Sequence, residues 1–417
     1  DNLNIDISHI VESLVDLAPP NKLGSVYLNI EGALASDQSW ASAGHKLVLE
    51  QFPIQLLYPD VNCEKYQRNS CTPKGSLTWT EDSRCIRVSH GMELPTVVAI
   101  QKETGAINEI VVNGRNILLG QGVMPNFTRA TTDNDRGGME LVLDFLRLNW
   151  ARPLLRSFTK HLFSYEMHWR DHGVSQDLPP SCVCTQIKTR TVEDSVEVET
   201  NCSIQGDSGK TILACVHTYT FLTDGSIHVK VKVQPSPCIA AIPSLPRIGL
   251  SFVLDSAFYR IKYVGRGPHE NYVDRQAGAQ LGSWSTTPSQ MGFDYIVPSE
   301  NGNRSECKWV SFQSDHTGFI VSADLDHDLF SFSALLHTGR ELHRASHTNH
   351  LEQRVDGKHP VSVNIDHRLM GLGGDVSWFP CVYSQFLVKP TDYTYSLRFH
   401  ILRPGESPEQ AVSRFQC

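Results

Sequence analysis

The sequence predicts an all-β protein, with a large antiparallel β-sandwich over most of its length and part of a smaller sandwich ahead of it. Three observations carry this. Apolar and polar residues alternate with period two almost from end to end, as strands with one buried face require. Gly, Asn and Pro recur at close spacing between the alternating runs, where they supply turns. Long crossover helices, which parallel strands need, are not evident, so neighbouring strands are expected to run antiparallel.

The elements follow in order. SVYLNIEGAL and KLVLEQFPIQLLY read as two strands joined by the polar SDQSWASAGH, a hairpin of the kind a small sandwich uses. After Tyr58 the run PDVNCEKYQRNSCTPKGS loses all periodicity and marks a boundary, with 59–76 as a linker. From Leu77 short strands come in succession: CIRVS, TVVAIQ, AINEIVV, NILL, SVEVETNCSI, TILACVHTYTF, SIHVKVKV, RIGLSFVL and RIKYVGRG. ETG before Ala106 and the Asn113-Gly114 pair are hairpin turns, because both residue types tolerate positive φ. One segment, MELVLDFLRLNWARPLLRSFTKHLF, has helical spacing and is broken by Pro153. GLGGDVSWFP is a tight glycine-rich turn that carries a tryptophan, either a core anchor or a platform for a ligand.

Composition limits the partners. A formal charge of -8, a pI of about 6.1 and scattered Lys and Arg lack the basic footprint of a nucleic-acid binder. A mean hydropathy of -0.25 and the lack of a long apolar run give no sign of a membrane span. The chain opens at Asp1 without a leader-like segment and reads as a piece of something longer. Its 11 cysteines include no CxxC pair; Cys182 and Cys184 would share one face of a strand. Free thiols in a reducing, cytoplasmic setting are the expectation, and three glycosylation sequons, at Asn126, Asn201 and Asn303, do not decide the compartment.

Several loops could carry chemistry. In TRATTDNDRGG, Asp133, Asn134 and Asp135 present oxygens suited to sugar hydroxyls or a hard cation, with Arg129 as counter-charge; Asx turns that only shape the loop are the alternative. GRGPHENYVDR and VPSENGNR suit hydrogen bonding to polyhydroxy ligands and equally suit self-satisfied turns. His343, His347 and His350 have i, i+4, i+7 spacing, but lack an acidic partner and a supporting helix, so they are expected to be structural or surface residues. A glycosidase needs two carboxylates flanking the scissile bond. No such pair can be picked, so no catalytic residue is assigned.

In chain order, TRATTDND, WRDHG, YVGRGPHENYVDR, VPSENGNR, SHTNHL and MGLGGDVSWFP resemble the C-terminal region of the glycoside hydrolase family 2 β-galactosidases. SWASAGHKLVLEQF resembles the end of the immunoglobulin-like domain before it. The resemblance implies three parts: residues 1–58 as the end of that immunoglobulin-like sandwich, 59–76 as linker, and 77–417 as the small-chain domain, a galactose-mutarotase-like sandwich. It also implies that the acid/base and nucleophile glutamates lie on a barrel upstream, together with the Mg and Na sites, leaving no cofactor or metal on this chain. Partners would be a galactoside, the catalytic barrel domain or large subunit, and further copies of the full enzyme. By the same resemblance Trp378 is a platform for the sugar, delivered by Gly373 and Gly374, with Asp375 capping the turn; Asp133, Asn134, Asp135 and Arg129 complete the expected substrate-binding set. The 139–168 segment is longer and more apolar than the family's mobile loop, and Arg136 departs from its pattern. A non-catalytic small subunit, a carbohydrate-binding module and an aldose epimerase are the other readings; the last needs a histidine and a carboxylate together, and adjacent His269 and Glu270 would face opposite sides of a strand.

Overall fold

The structure is a computed structural model and describes residues 26–54, 75–91, 94–137, 146–148, 150, 164–324, 329–373, 381–403 and 405–413. Contacts divide the chain into two units, Asp1–Cys71 and Thr72–Cys417.

In the first unit, β1 (Val26–Ala33) and β2 (Lys46–Ile54) pair antiparallel, with Val26 opposite Ile54. This is the hairpin that the alternation predicts. Ile30, Leu47, Val48 and Phe52 on it are exposed. An isolated two-stranded ribbon is marginal in water, because it has nothing to bury its apolar side chains against.

The second unit begins with a meander of β3 (Ser76–Glu81), β4 (Cys85–Gly91), β5 (Thr96–Gln101), β6 (Ile107–Val112) and β7 (Arg115–Asn116), hydrogen-bonded in that order. The Asn113-Gly114 turn has φ of 50° and 80°, the two positive values that a primed hairpin turn needs. Next come β8 (Leu118–Asn126), helix α1 (Tyr165–Asp171), β9 (Ser181–Val192), β10 (Ser195–Gln205), β11 (Thr211–Phe221), β12 (Ile227–Pro235), β13 (Arg247–Leu254) and β14 (Arg260–Gly267). β15 (Gln280–Thr286), α2 (Pro288–Met291), β16 (Arg304–Cys307), β17 (Trp309–Gln313), β18 (Gly318–Ala323), β19 (Phe330–Leu335), α3 (Gly339–Arg344), β20 (Val361–Leu369), β21 (Tyr393–Ile401) and α4 (Pro408–Ser413) complete it.

A nine-stranded sheet has the order β15-β14-β17-β18-β21-β12-β11-β10-β9, and a five-stranded sheet the order β16-β19-β20-β13-β8. Their apolar faces meet. Phe252 of β13 contacts Phe319 of β18 edge-to-face at 5.8 Å, Phe319 contacts Phe399 of β21 at 5.4 Å, and Tyr263 of β14 contacts Phe332 of β19 at 5.1 Å. All five rings are at most 3% exposed. Each contributes about 1.5–3 kcal/mol by burial, which makes this seam the main apolar store of the sandwich.

The predicted helix over 139–163 lies mostly outside the described residues, but residues 146–147 form a turn. Arg147 has a φ of 54°, which no helix interior adopts, so the helical spacing is interrupted there.

Candidate functional site

The described base of the glycine-rich loop, Met370 to Gly373, leaves the end of β20 and is held from three sides. Arg129 is the centre. Its Nε and Nη2 donate to Asp135 Oδ2 and Oδ1 at 3.0 and 2.6 Å, while Nη1 reaches Met370 O at 2.6 Å and Nη2 also reaches Gly371 O at 3.1 Å. Both side chains of the Arg129–Asp135 pair are fully shielded from solvent. Asp135 Oδ2 also accepts from Thr132 N at 3.0 Å while Asp135 N donates to Thr132 Oγ1 at 3.3 Å, a reciprocal capping pair that starts the short helical stretch 133–137. Trp169 of α1 lies 5.6 Å from the Arg129 guanidinium and donates its own Nε1–H to Ser244 O.

Asn134 and Asp274 grip the loop further out. Asn134 Nδ2 donates to Leu372 O at 2.9 Å, and Asp274 Oδ2 accepts from Gly373 N at 2.8 Å. Gly373 has a φ of +74°, and a Cβ there would lie 3.1 Å from Asn134 Nδ2. Gly371 is tighter: a Cβ would stand 2.5 Å from Asp274 Oδ2 and 3.1 Å from Phe386 Cβ. Glycine is therefore required here by close approach as well as by turn geometry.

Of the sequence-predicted site residues, Arg129, Asn134 and Asp135 come together at the loop base, and their polar contacts are made to the loop and to each other. Asp133 is exposed beside them. Asp375 and Trp378 lie outside the described residues, as does Gly374. Sequence reasoning quoted Asp274 without assigning it. Its partner Gly373 is 99 residues away, so no local pattern marks the contact.

A surface groove adjoins the loop base and is lined by Asp274, Arg275, His269, Phe293, Tyr295 and Phe386. Phe386 O accepts from Gly371 N, which ties the groove to the loop. Phe293 is 60% exposed and leans on Tyr295, their ring centroids 4.6 Å apart. Glu270 is already committed, to Arg275 Nη2 at 2.6 Å, Gly302 N at 2.9 Å and the Tyr295 hydroxyl. It braces the loops and is a poor proton-transfer candidate. His343, His347 and His350 do not share a helix: His343 sits in α3 against Thr131 and Asp177, and His347 precedes a separate turn holding His350.

Behind the loop base lies a buried polar cluster that the sequence did not reveal. Arg247 donates to Glu300 Oε2 at 2.6 Å and stands 3.2 Å from Asp366 Oδ2. All three are nearly excluded from solvent, and among the described residues neither Asp366 oxygen accepts a hydrogen bond. Burial pushes the Asp366 carboxyl up to about 7, against the opposing pull of Arg247. Glu300 N donates to Ala130 O, linking this cluster to the residue after Arg129.

Comparison with known proteins identifies the family of the chain. The family model described as β-galactosidase small chain matches residues 95–399. A β-galactosidase of Psychromonas ingrahamii is 29% identical over 387 residues, 92% of this chain and 33% of its own length. One of Priestia megaterium is 27% identical over 361 residues, 86% of this chain and 30% of its own length. The chain thus spans about a third of the length of the curated relatives it matches. Among solved structures, the galactose 1-epimerase of Lactobacillus acidophilus NCFM aligns with a TM-score of 0.42 at 8% identity, covering 80% of this chain and 99% of that one. Among the described residues no helix is long and apolar enough to cross a membrane.

Proposed function

Because the chain belongs to the β-galactosidase small-chain family, we propose that it is the C-terminal part of a retaining β-galactosidase and supplies one wall of the galactoside pocket. The carrying observation is the investment in the base of the Gly371–Gly373 loop. Two main-chain carbonyls are fixed by a fully buried arginine, a third by Asn134, and one N–H by Asp274. Such anchoring gives the residues beyond it a defined exit direction. In this reading those residues carry Trp378, whose indole meets the apolar C–H face of the sugar.

Arg129, Asn134, Asp135 and Asp274 are then positioning residues for the loop, and Asp133 is the member of the DND run free to meet solvent or ligand. The reacting carboxylates come from a barrel domain or large subunit, and any Mg or Na requirement belongs there too. That part protonates the leaving oxygen and forms the covalent galactosyl intermediate; this chain orients the substrate and excludes water beside it. The exposed apolar residues of the β1–β2 hairpin support a role within a larger assembly.

The test is substitution of Trp378 in the assembled enzyme. Trp378→Ala should lower kcat/KM for an aryl galactoside by about tenfold or more, a loss of ~1.4 kcal/mol, and Trp378→Phe should recover part of it by retaining a stacking face. Unchanged kinetics in Trp378→Ala would remove the platform from the account.

A further inference from the structure

Three thiols that the galactoside chemistry does not use gather at one border of the nine-stranded sheet. β9 is the outermost strand there, and its Cys182 and Cys184 are half-buried, while Cys202 on β10 is 4% exposed. The pairing is irregular at Thr185, and this places Cys184 directly opposite Cys202 and Cys182 opposite Ile204. Cys182 Sγ and Cys202 Sγ converge on one acceptor, Thr104 O, at 3.2 and 3.4 Å. Cys184 Sγ turns to its own strand, 3.3 Å from Gln186 O. On its inner side, Cys202 Sγ lies 3.8 Å from His217 Nδ1.

Directly opposed residues of an antiparallel pair have Cα atoms about 4.5–5.5 Å apart, within the span a disulfide bridges. We propose that Cys184 and Cys202 are a redox-labile pair that closes into a cross-strand disulfide by exchange with a small-molecule disulfide such as oxidised glutathione. The Cys184 thiolate attacks one glutathione sulfur, the glutathione S–S bond breaks, and one glutathione leaves as thiolate. Cys202 loses its proton to solvent base and, as the thiolate, attacks the Cys184 sulfur of the mixed disulfide, expelling the second glutathione. Two cysteine thiols are oxidised, one glutathione disulfide is reduced to two thiols, and the departing thiolates take up the protons released. Burial holds His217 down at about 4, so its imidazole is neutral at physiological pH and lends the Cys202 thiolate no positive charge. The neighbouring Cys182 thiol together with burial pushes the Cys202 thiol up to about 12, and Cys202 together with burial pushes the attacking Cys184 thiol up as well, so exchange is slow at neutral pH and quickens as pH rises.

The product ties the outermost strand to its neighbour and protects a sheet border from fraying. The experiment incubates the full 417-residue chain with oxidised glutathione at pH 7 and pH 9, blocks remaining thiols, and maps tryptic peptides by mass spectrometry. Cys184 falls in 171–188 and Cys202 in 191–210, so the bond joins two peptides. The expected result is that linked pair, lighter by two hydrogens than its separated halves, in wild type and Cys182→Ser, faster at pH 9, and missing in Cys184→Ser and Cys202→Ser. Cys184→Ser changes a half-exposed position on the outer strand, so its result does not depend on tolerance of a core substitution. No linked pair in the wild type, or one that persists in Cys184→Ser, overturns the proposal.

Discussion

At the scale of single residues, the chemistry of this protein is dominated by buried charge. Arg129 is in the sequence a counter-ion to an acidic loop; in the structure it forms a shielded ion pair with Asp135 and caps two carbonyls of a segment more than 240 residues away. An ion pair taken out of water is retained only when its remaining donors are satisfied, and here the loop satisfies them. Asp366 is the opposite case, a buried carboxyl with an arginine close by but no hydrogen bond among the described residues, and its pKa is raised to about 7. A carboxyl raised in the folded state binds a proton that the unfolded chain has released. Its contribution is therefore fully present below about pH 4 and is lost as pH rises through 7. We expect Asp366→Asn to remove that dependence: the difference in unfolding free energy between variant and wild type should grow in the variant's favour between pH 4 and pH 7, with a limiting slope of about 1.4 kcal/mol per pH unit. Urea denaturation at several pH values checks this, and parallel curves would contradict it.

At the scale of elements, most strands from Cys85 to Gly267, though not the full length of β9, were legible because period-two alternation and positive-φ turn residues are local signals. The positions Gly105, Asn113 and Gly114 do have the predicted positive φ. β15 to β21 were not picked out: short strands such as Arg304–Cys307 and Trp309–Gln313 are buried on both faces and lose their alternation, although β20 keeps it over Val361–Ile365. The site was legible only as ordered loops. Which loop grips which depends on contacts such as Asp274 to Gly373, and sequence spacing does not encode them. Gly371 tests the grip. Gly371→Ala places a methyl against Asp274 and Phe386, so the loop base must shift. In the assembled enzyme the expected outcome is a fall in kcat/KM of about tenfold or more, or ~1.4 kcal/mol, with most of the thermal stability retained. Wild-type kinetics would show that the loop base does not position the pocket wall.

At the scale of the whole molecule, buried aromatic contacts such as Phe252 to Phe319 and Tyr263 to Phe332 join the two large sheets of the sandwich, whereas the β1–β2 hairpin exposes apolar residues. The central claim is that this wall shapes the galactoside pocket without supplying the reacting carboxylates. A 2-deoxy-2-fluoro-galactoside with a good leaving group tests it most directly, because it traps the nucleophile of a retaining enzyme as a stable ester. The account predicts no adduct on the isolated chain and, in the assembled enzyme, an adduct on a residue outside these 417. A fluorogalactosyl adduct on any aspartate or glutamate of this chain would contradict it.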